Sequence, residues 1–467
     1  MKRLTVLCAT AVTLCLGACA EAPPPEAGEA TSADSPAPPP TTAALDAGFL
    51  SRASIYEVNV RQFSAAGTLA QVTRQLPRLD ALGVDILWLM PIQPIGEAKR
   101  KGPLGSYYSI RDYTAVNPEF GTLEDVKALV TAAHAQGQLV ILDWVANHTA
   151  WDHPWIDAQP DYYTTDAQGN IVDPVNPETG ESWGWTDVAD LNYGNEALWP
   201  AMVDAMAFWL RETEMDGFRC DVAGEVPTAF WEYARPRLEA IRPVFMLAEA
   251  EKPELAELFD MSYGWHFHHV MNGIAAGTES VDAIDSYMRT ERTRFPAEHT
   301  MMMFTTNHDE NSWSGTVFER YGDAHQAFAV LAFTLDGMPL LYSGQEAGLD
   351  RRLEFFSADP IDWRDYSLET FYRDLVALKD AHAALTHGAD GGRFVALETS
   401  ATQPKAYAFG RRAAGSDVVV ALNFGDTPTT LSFAQGMLPG RSVVFGEATA
   451  DGDRLSLAPF GYAVLSE

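Results

Sequence analysis

Three short stretches of this chain each end in a carboxylate after an apolar run: GFRCD at 217–221, FMLAE at 245–249 and TTNHD at 305–309. Buried-strand ends are expensive places for carboxylates. In a (β/α)8 barrel, however, residues just past the strand C-termini converge on one face, where active sites sit. Asp221, Glu249 and Asp309 meeting there point to glycoside chemistry, which needs one carboxylate as nucleophile and another as proton donor. One donor must be protonated and the nucleophile ionised near neutrality, so their surroundings must differ. Arg219 stands two residues before Asp221, and strand residues i and i+2 share a face. Its guanidinium is therefore expected to keep Asp221 ionised. Glu251 competes with Glu249 as the acid, and the Leu-Ala-Glu context favours Glu249.

The elements that must position these groups alternate. Residues 55–60, 84–89 and 139–143 read as strands, and 69–82 and 123–136 as helices, with Gly137 ending the second helix in a C-cap role. This βαβ rhythm implies a parallel sheet with crossover helices. It breaks after His148, where 151–193 are rich in Trp, Pro, Asp and Gly. The break reads as an inserted subdomain after the third strand. Alternation resumes with a helix at 196–211 and continues to a strand at 339–343 and a helix at 368–382, giving eight βα units. From Arg393 the helices stop, and short runs between turn residues predict a small antiparallel β domain. The expected fold is thus an α/β class (β/α)8 barrel with an insertion and a C-terminal β domain. The expected domains are a signal at 1–18, a tether at 19–47, the barrel at 48–390 with the insertion at 149–193, and the β domain at 391–467.

The chain has 467 residues, a formal charge of -32 and 47% apolar residues, ample for a large core. The acidity argues against nucleic acid, which needs a basic face. No Gly-rich phosphate loop follows the first strand, so no organic cofactor is expected. Lys2 and Arg3 precede an apolar run ending at Leu16-Gly17-Ala18-Cys19, the pattern of a secretory signal. It resembles a bacterial lipoprotein signal, with Cys19 as the lipidated first residue of the mature chain. That resemblance implies export and a membrane contact through a lipid anchor, and the absence of Asp after Cys19 favours the outer membrane. Residues 20–44, rich in Pro, Ala, Glu, Ser and Thr, would be the tether. Cys8 and Cys15 leave with the signal, so Cys220 alone remains in the folded part and no intrachain disulfide is available.

Four short signatures occur in order: DWVANH at 143–148, GFRCDVA at 217–223, MLAE at 246–249 and TNHD at 306–309. On these the chain, over roughly 54–467, resembles the α-amylase superfamily of retaining glycoside hydrolases. The resemblance implies Asp221 as nucleophile, Glu249 as acid and then base, and Asp309 as the group stabilising the oxocarbenium-like transition state. It implies that His148 and His308 bond hydroxyls of the reacting sugar, and that Tyr108, four residues before Asp112 in GSYYSIRDY, stacks on it in preference to Tyr107. Arg219 joins this binding group, and Asp143 is implied to be mainly structural. Asn147 and Asp190 match positions that hold calcium, whose preference is for oxygen ligands. Gly224 and Glu225 stand where the family often has Lys-His, which puts a carbonyl ligand and a sugar contact in doubt. Trp151, Trp155, Trp183, Trp185, Trp265 and Trp313 are candidate sugar platforms. The implied activity is hydrolysis of α-1,4-glucosidic bonds in starch, glycogen or maltodextrins. The alternatives are a transglycosylase or a maltodextrin- or pullulan-specific hydrolase on the same fold, and, further off, a non-catalytic glucan-binding lipoprotein. No protein partner is implied.

Overall fold

The computed structural model describes residues 45, 47–176, 179–389 and 391–467. Cys19, the signal and the greater part of the tether lie outside the described residues. Eight parallel strands close into a barrel: Ile55–Val58, Ile86–Leu89, Leu139–Val145, Gly217–Asp221, Phe245–Ala248, Met261–Tyr263, Thr300–Met303 and Met338–Tyr342. Each pairs with the next in the chain, and the eighth pairs with the first. Strands this short, buried on both faces, are near-continuous apolar runs because helices cover the outside.

Alternation along each strand splits the core in two. Ile55, Ile86, Trp88, Ile141, Leu247, Met302 and Leu340 fill the barrel interior, whereas Tyr56, Leu87, Leu142, Phe218, Met246 and Leu341 pack outward against the helices. Glu57, Asp143 and Glu249 lie two residues beyond the interior-facing Ile55, Ile141 and Leu247, and Arg219 is the register partner of Asp143. The pleat therefore sends this charged set inward, above the apolar layer. Gly217 is required where the fourth strand begins, since a Cβ there would lie 1.9 Å from the Phe245 carbonyl oxygen.

The helices stop for local reasons. Leu69–Leu82 ends at Gly83, which takes φ +90. Leu123–His134 opens with a capping box in which Thr122 and Asp125 satisfy each other's backbone N–H. It closes two residues earlier than the sequence suggests. Gly137 adopts φ +79 beyond the end, and Gln138 N–H bonds the Ala133 carbonyl. The helix of the third unit is Leu198–Thr213 rather than 196–211. The long connection before it carries a two-stranded antiparallel sheet, His148–Ala150 with Val188–Asp190.

After the helix Glu369–Ala381, two antiparallel sheets of five and four strands form the C-terminal β region. Ala408, Val419, Leu431, Leu455 and Leu465 fill the space between them. The other face of the larger sheet meets the helix His325–Thr334, where Phe328 and Phe424 stack at 4.3 Å. Arg411 clamps this junction. It is fully buried and donates to the carbonyls of Thr334 (3.0 Å), Thr386 (2.7 Å) and Gly392 (2.6 Å). Burial lowers its pKa to about 10, against the opposing pull of Asp336.

Replacing Arg411 by Met would remove the donor from the buried Thr334 and Gly392 carbonyls, at about 1–3 kcal/mol for each orphaned group, while the Thr386 carbonyl keeps the Gly392 N–H at 3.1 Å. Partial relaxation considered, urea unfolding of R411M should show a loss of about 3 kcal/mol. A loss below about 0.5 kcal/mol would mean that the clamp contributes no more than an exposed ion pair.

Candidate active site

Arg219, on the fourth strand and wholly buried, is the hub of the upper barrel layer. Its Nη1 donates to Asp143 Oδ1 and to Asp221 Oδ1, both at 2.9 Å, and its Nε donates to the Tyr263 hydroxyl at 3.1 Å. Nη2 lies 2.9 Å from Glu249 Oε2 but off the N–H direction, so that contact is an ion pair rather than a directed hydrogen bond. Trp88 lies beneath the guanidinium, 5.0 Å from ring centroid to Cζ.

Asp143 is tied from all sides. Besides Arg219 it accepts from Trp88 Nε1 (3.1 Å) and from the Tyr108 hydroxyl (3.0 Å). Tyr108 also meets His308 Nε2 at 2.7 Å, and His308 Nδ1 sits 2.5 Å from Glu57 Oε1. Asp309 Oδ2 is 3.4 Å from His308 Nε2. One connected network thus runs Glu57–His308–Tyr108–Asp143–Arg219 and ends on the paired carboxyls Asp221 and Glu249.

Five carboxyls face two cationic side chains in this network, so not all of them can be ionised together at low cost. Burial pushes Asp221 up to about 6, with Arg219 pulling the other way and Asp143 adding to the rise. Desolvation outweighs the guanidinium, and the pull of Arg219 still leaves Asp221 titrating below neutrality. Burial pushes Glu249 higher, to about 7, again against Arg219 and with Asp221 and Asp309 adding. Glu249 Oε2 also accepts the Val222 N–H at 2.8 Å. Val222 holds φ +36, a left-handed conformation that is a true outlier for a β-branched residue. That strain turns the N–H after Asp221 toward Glu249 and locks the two acids to each other. His308 is the opposite case: burial disfavours its charge, but Asp309 and Glu57 prevail and raise it to about 9. His148, buried without such an ion pair, is lowered to about 4 and stays neutral.

These groups open onto a cavity of about 460 Å3 that Tyr108, His148, Asp221, Glu249, His308 and Asp309 all line. Tyr107 is turned away and lies under the Arg61 guanidinium at 4.1 Å. Of the six tryptophans considered as platforms, Trp185 and Trp313 line the cavity. Trp183 stacks on Trp185 at 6.0 Å. Trp151 carries Lys99, Trp155 packs on Tyr113, and Trp265 packs on Phe304 and the barrel interior. Glu251 accepts the His266 N–H instead of entering the site.

At the small two-stranded sheet Asp190 pairs with His148, and the next residues out, Leu191 and Asn147, are joined by the Leu191 N–H to the Asn147 carbonyl at 3.1 Å. Burial raises Asp190 to about 6, and Asp173 adds to the rise. The oxygens of Asn147 and Asp190 suit a hard cation in kind, but two side chains fall short of the six to eight ligands calcium takes. Among the described residues no three acidic, His or Cys groups converge to hold a metal ion.

Sequence reasoning missed Glu57, Tyr263, Lys101, Asp187, Phe355 and Phe356. Glu57 had a signal, since a lone acid inside IYEV must face either the helices or the barrel interior. Tyr263 ends the sixth strand within an apolar run that does not show which face its hydroxyl serves, and Lys101, Asp187, Phe355 and Phe356 come from connections far apart in the chain and left no signal.

Residues 52–380 match the family model for the alpha amylase catalytic domain. An alpha-amylase of Haloarcula japonica is 30% identical over 411 residues, covering 85% of this chain and 59% of that protein. An alpha-1,4-glucan:maltose-1-phosphate maltosyltransferase of Rhodospirillum rubrum is 28% identical over 376 residues, covering 73% of this chain and 52% of that one. The chain therefore spans less than two thirds of the length of these relatives. Among solved structures, an alpha-amylase from Lactobacillus plantarum superposes with a TM-score of 0.79 at 29% identity, covering 90% of this chain and 99% of that one.

The Glu57–His308 pair makes a linkage prediction. A histidine whose folded pKa of about 9 exceeds its unfolded value contributes stability that is fully present below pH 6.5 and is lost as pH rises through 9. Glu57→Gln removes one of the two charges that raise His308. Its stability deficit should thus be largest at pH 6 and shrink toward pH 9.5 in denaturant titrations, and a deficit constant with pH would refute the assignment of charge to His308.

Proposed function

The chain belongs to the α-amylase family, and from that premise we propose that it is a retaining glycoside hydrolase acting on α-1,4-glucosidic bonds of starch, glycogen or maltodextrins. The observation that carries the reading is the seating of Asp221 and Glu249 on adjacent nitrogens of one buried guanidinium, at the floor of an aromatic-lined cavity. A retaining mechanism needs its two carboxyls this close, and it needs them to differ in protonation. Burial raises Glu249 above Asp221, which supports Glu249 as the proton donor.

In the proposed reaction, Asp221 attacks the anomeric carbon as the bond from that carbon to the departing sugar's oxygen breaks. Glu249 gives its proton to that oxygen. A water molecule then loses a proton to Glu249 and attacks the same carbon, which releases Asp221 as a carboxylate and restores Glu249 as an acid. Asp309, exposed to the cavity, opposes the positive charge that develops on the ring. The charged His308 and neutral His148 offer hydrogen bonds to sugar hydroxyls, and Tyr108 presents its ring to an apolar sugar face.

Transfer to a second sugar in place of water is a further outcome of the same intermediate, and a maltosyltransferase stands among the relatives. A calcium ion at Asn147 and Asp190 is proposed only as a clasp on the inserted segment, with carbonyls and water completing its shell. A chelator should then lower the melting temperature. Export and anchoring through a lipid on Cys19 are likewise proposed, on the N-terminal sequence pattern alone.

Four experiments test the reaction. Purified full-length chain on soluble starch, maltoheptaose and pullulan should yield α-configured products, and no cleavage of any of them would sink the proposal. Activity should rise with pH through about 6 as Asp221 ionises and fall through about 7 as Glu249 loses its proton, giving a narrow bell. Asp221→Asn should lose at least ~10⁴-fold in kcat with unchanged circular dichroism. Glu249→Gln should abolish the alkaline limb and recover activity on substrates with good leaving groups. A Glu249→Gln variant keeping the wild-type bell would overturn the acid assignment.

A further inference from the structure

The rim of the cavity is built unequally. The loop after the second strand, residues 96–105, is fastened at both of its ends. On one side Glu97 N–H donates to Asp152 Oδ2 at 3.0 Å. Lys101 Nζ donates to the Gly184 carbonyl at 3.1 Å and pairs with Asp187 at 2.9 Å. These contacts join the loop to the inserted segment after the third strand. On the other side Leu104 N–H donates to the Phe356 carbonyl at 3.0 Å. Arg61, buried after the first strand, gathers the carbonyls of Leu104 (3.2 Å), Gly105 (3.0 Å) and Phe355 (3.2 Å), and so ties the loop to the one after the eighth strand. Gly102 holds φ +64 against Phe356, where a Cβ would come within 2.4 Å of the phenylalanine Cβ. A continuous, stapled wall thus stands over strands eight, one, two and three.

Opposite, the rim is low. The fifth strand leads to the sixth through one short 3-10 turn, Pro253–Leu255, and the sixth strand enters its helix, Trp265–Ala276, after the single residue Gly264. Glu249 lies on this low side, and Tyr108, stacked on Phe355 at 6.4 Å, lies under the wall. On the hydrolase reading above, the departing chain leaves past the proton donor, and the retained sugar sits against Tyr108. The retained sugar carries the attacked anomeric carbon, so its far end points toward the non-reducing end of the glucan. We propose that the stapled wall makes the cavity blind behind the retained sugar, so that this chain takes α-glucans end-first and trims short units from their non-reducing ends.

The test compares two maltoheptaosides bearing the same chromophore at the reducing end, one with a free non-reducing end and one with that end capped by a 4,6-ethylidene group. Full-length chain should cleave the capped compound at least about 50-fold more slowly in kcat/KM, since a blind pocket rejects added bulk sterically. On long amylose, reducing ends should accumulate while iodine staining and viscosity fall slowly. Cleavage of both heptaosides within about 3-fold of each other, with early collapse of viscosity, would overturn the blind pocket and leave the hydrolase reading standing. Failure to cleave either compound or amylose would overturn both.

Discussion

A guanidinium sealed inside a barrel is the constraint on which the rest of this structure depends. Arg219 has no exposure to solvent, and an uncompensated charge there would cost several kcal/mol in desolvation alone. The fold answers with more compensation than one charge needs: Asp143, Asp221 and Glu249 all contact it, and the Tyr263 hydroxyl and the Trp88 ring fill its remaining sides. Burial raises the proton affinities of Asp221 and Glu249, and the neighbouring carboxyls that share the one cation add to the rise. A buried ion pair that merely held strands together would be satisfied by one partner. Here burial, with the excess of acid adding to it, leaves a carboxyl able to carry a proton near neutrality.

The second acid network supplies the opposite polarity. Glu57 and Asp309 hold His308 cationic beside the same cavity, while His148 across from it stays neutral. The cavity thus presents a fixed positive donor on one wall and an uncharged one on the other, both in place before any ligand arrives. Donors fixed in advance hold a ligand's hydroxyls without having to reorient. Val222 adds a mechanical element. Its strained φ is sustained because the Glu249 carboxylate accepts its N–H, so the position of the proposed acid and the backbone beyond the proposed nucleophile are set by one bond.

Much of this was legible in the sequence, for a physical reason. Asp221, Glu249 and Asp309 each follow an apolar run, and the period of a strand dictates that residues two apart share a face, so Arg219 had to lie beside Asp221. The barrel was legible because buried parallel strands and amphipathic helices have distinct periods. The limits were equally physical. Glu57 hid in IYEV, where an acid among apolar residues does not reveal which face it serves. Helix ends shifted by about two residues because end positions depend on carbonyl capping, as with Gln138 N–H on Ala133. The strands Thr399–Ala401 and Thr449–Asp451 are three mostly exposed residues each and leave no alternation to detect, and Arg454–Leu457 alternates in burial over four residues only. Lys101, Asp187 and Phe356 were beyond reach, since loop residues gain neighbours only after the barrel has closed.

That last group shows how the barrel divides its labour. The lower interior layer of Ile55, Ile86, Ile141 and Leu340 is apolar and makes no demand on chemistry, while the layer above it is charged and carries the proposed reaction. Reading outward, the next layer is made of loops, and here it is fastened by backbone carbonyls rather than by packing. Arg61 accomplishes in the rim what Arg411 accomplishes at the β-sheet junction. Each is a buried cation that takes three carbonyls from segments distant in sequence and fixes their relative position. Carbonyls of irregular backbone have no ladder partners, so a planar five-donor group is the economical way to satisfy several at once. The consequence for function is that the wall beside the cavity is a rigid part of the fold. The rim over strands eight to three is therefore set by the fold, and on the proposed reading so is the direction from which a long sugar chain would enter.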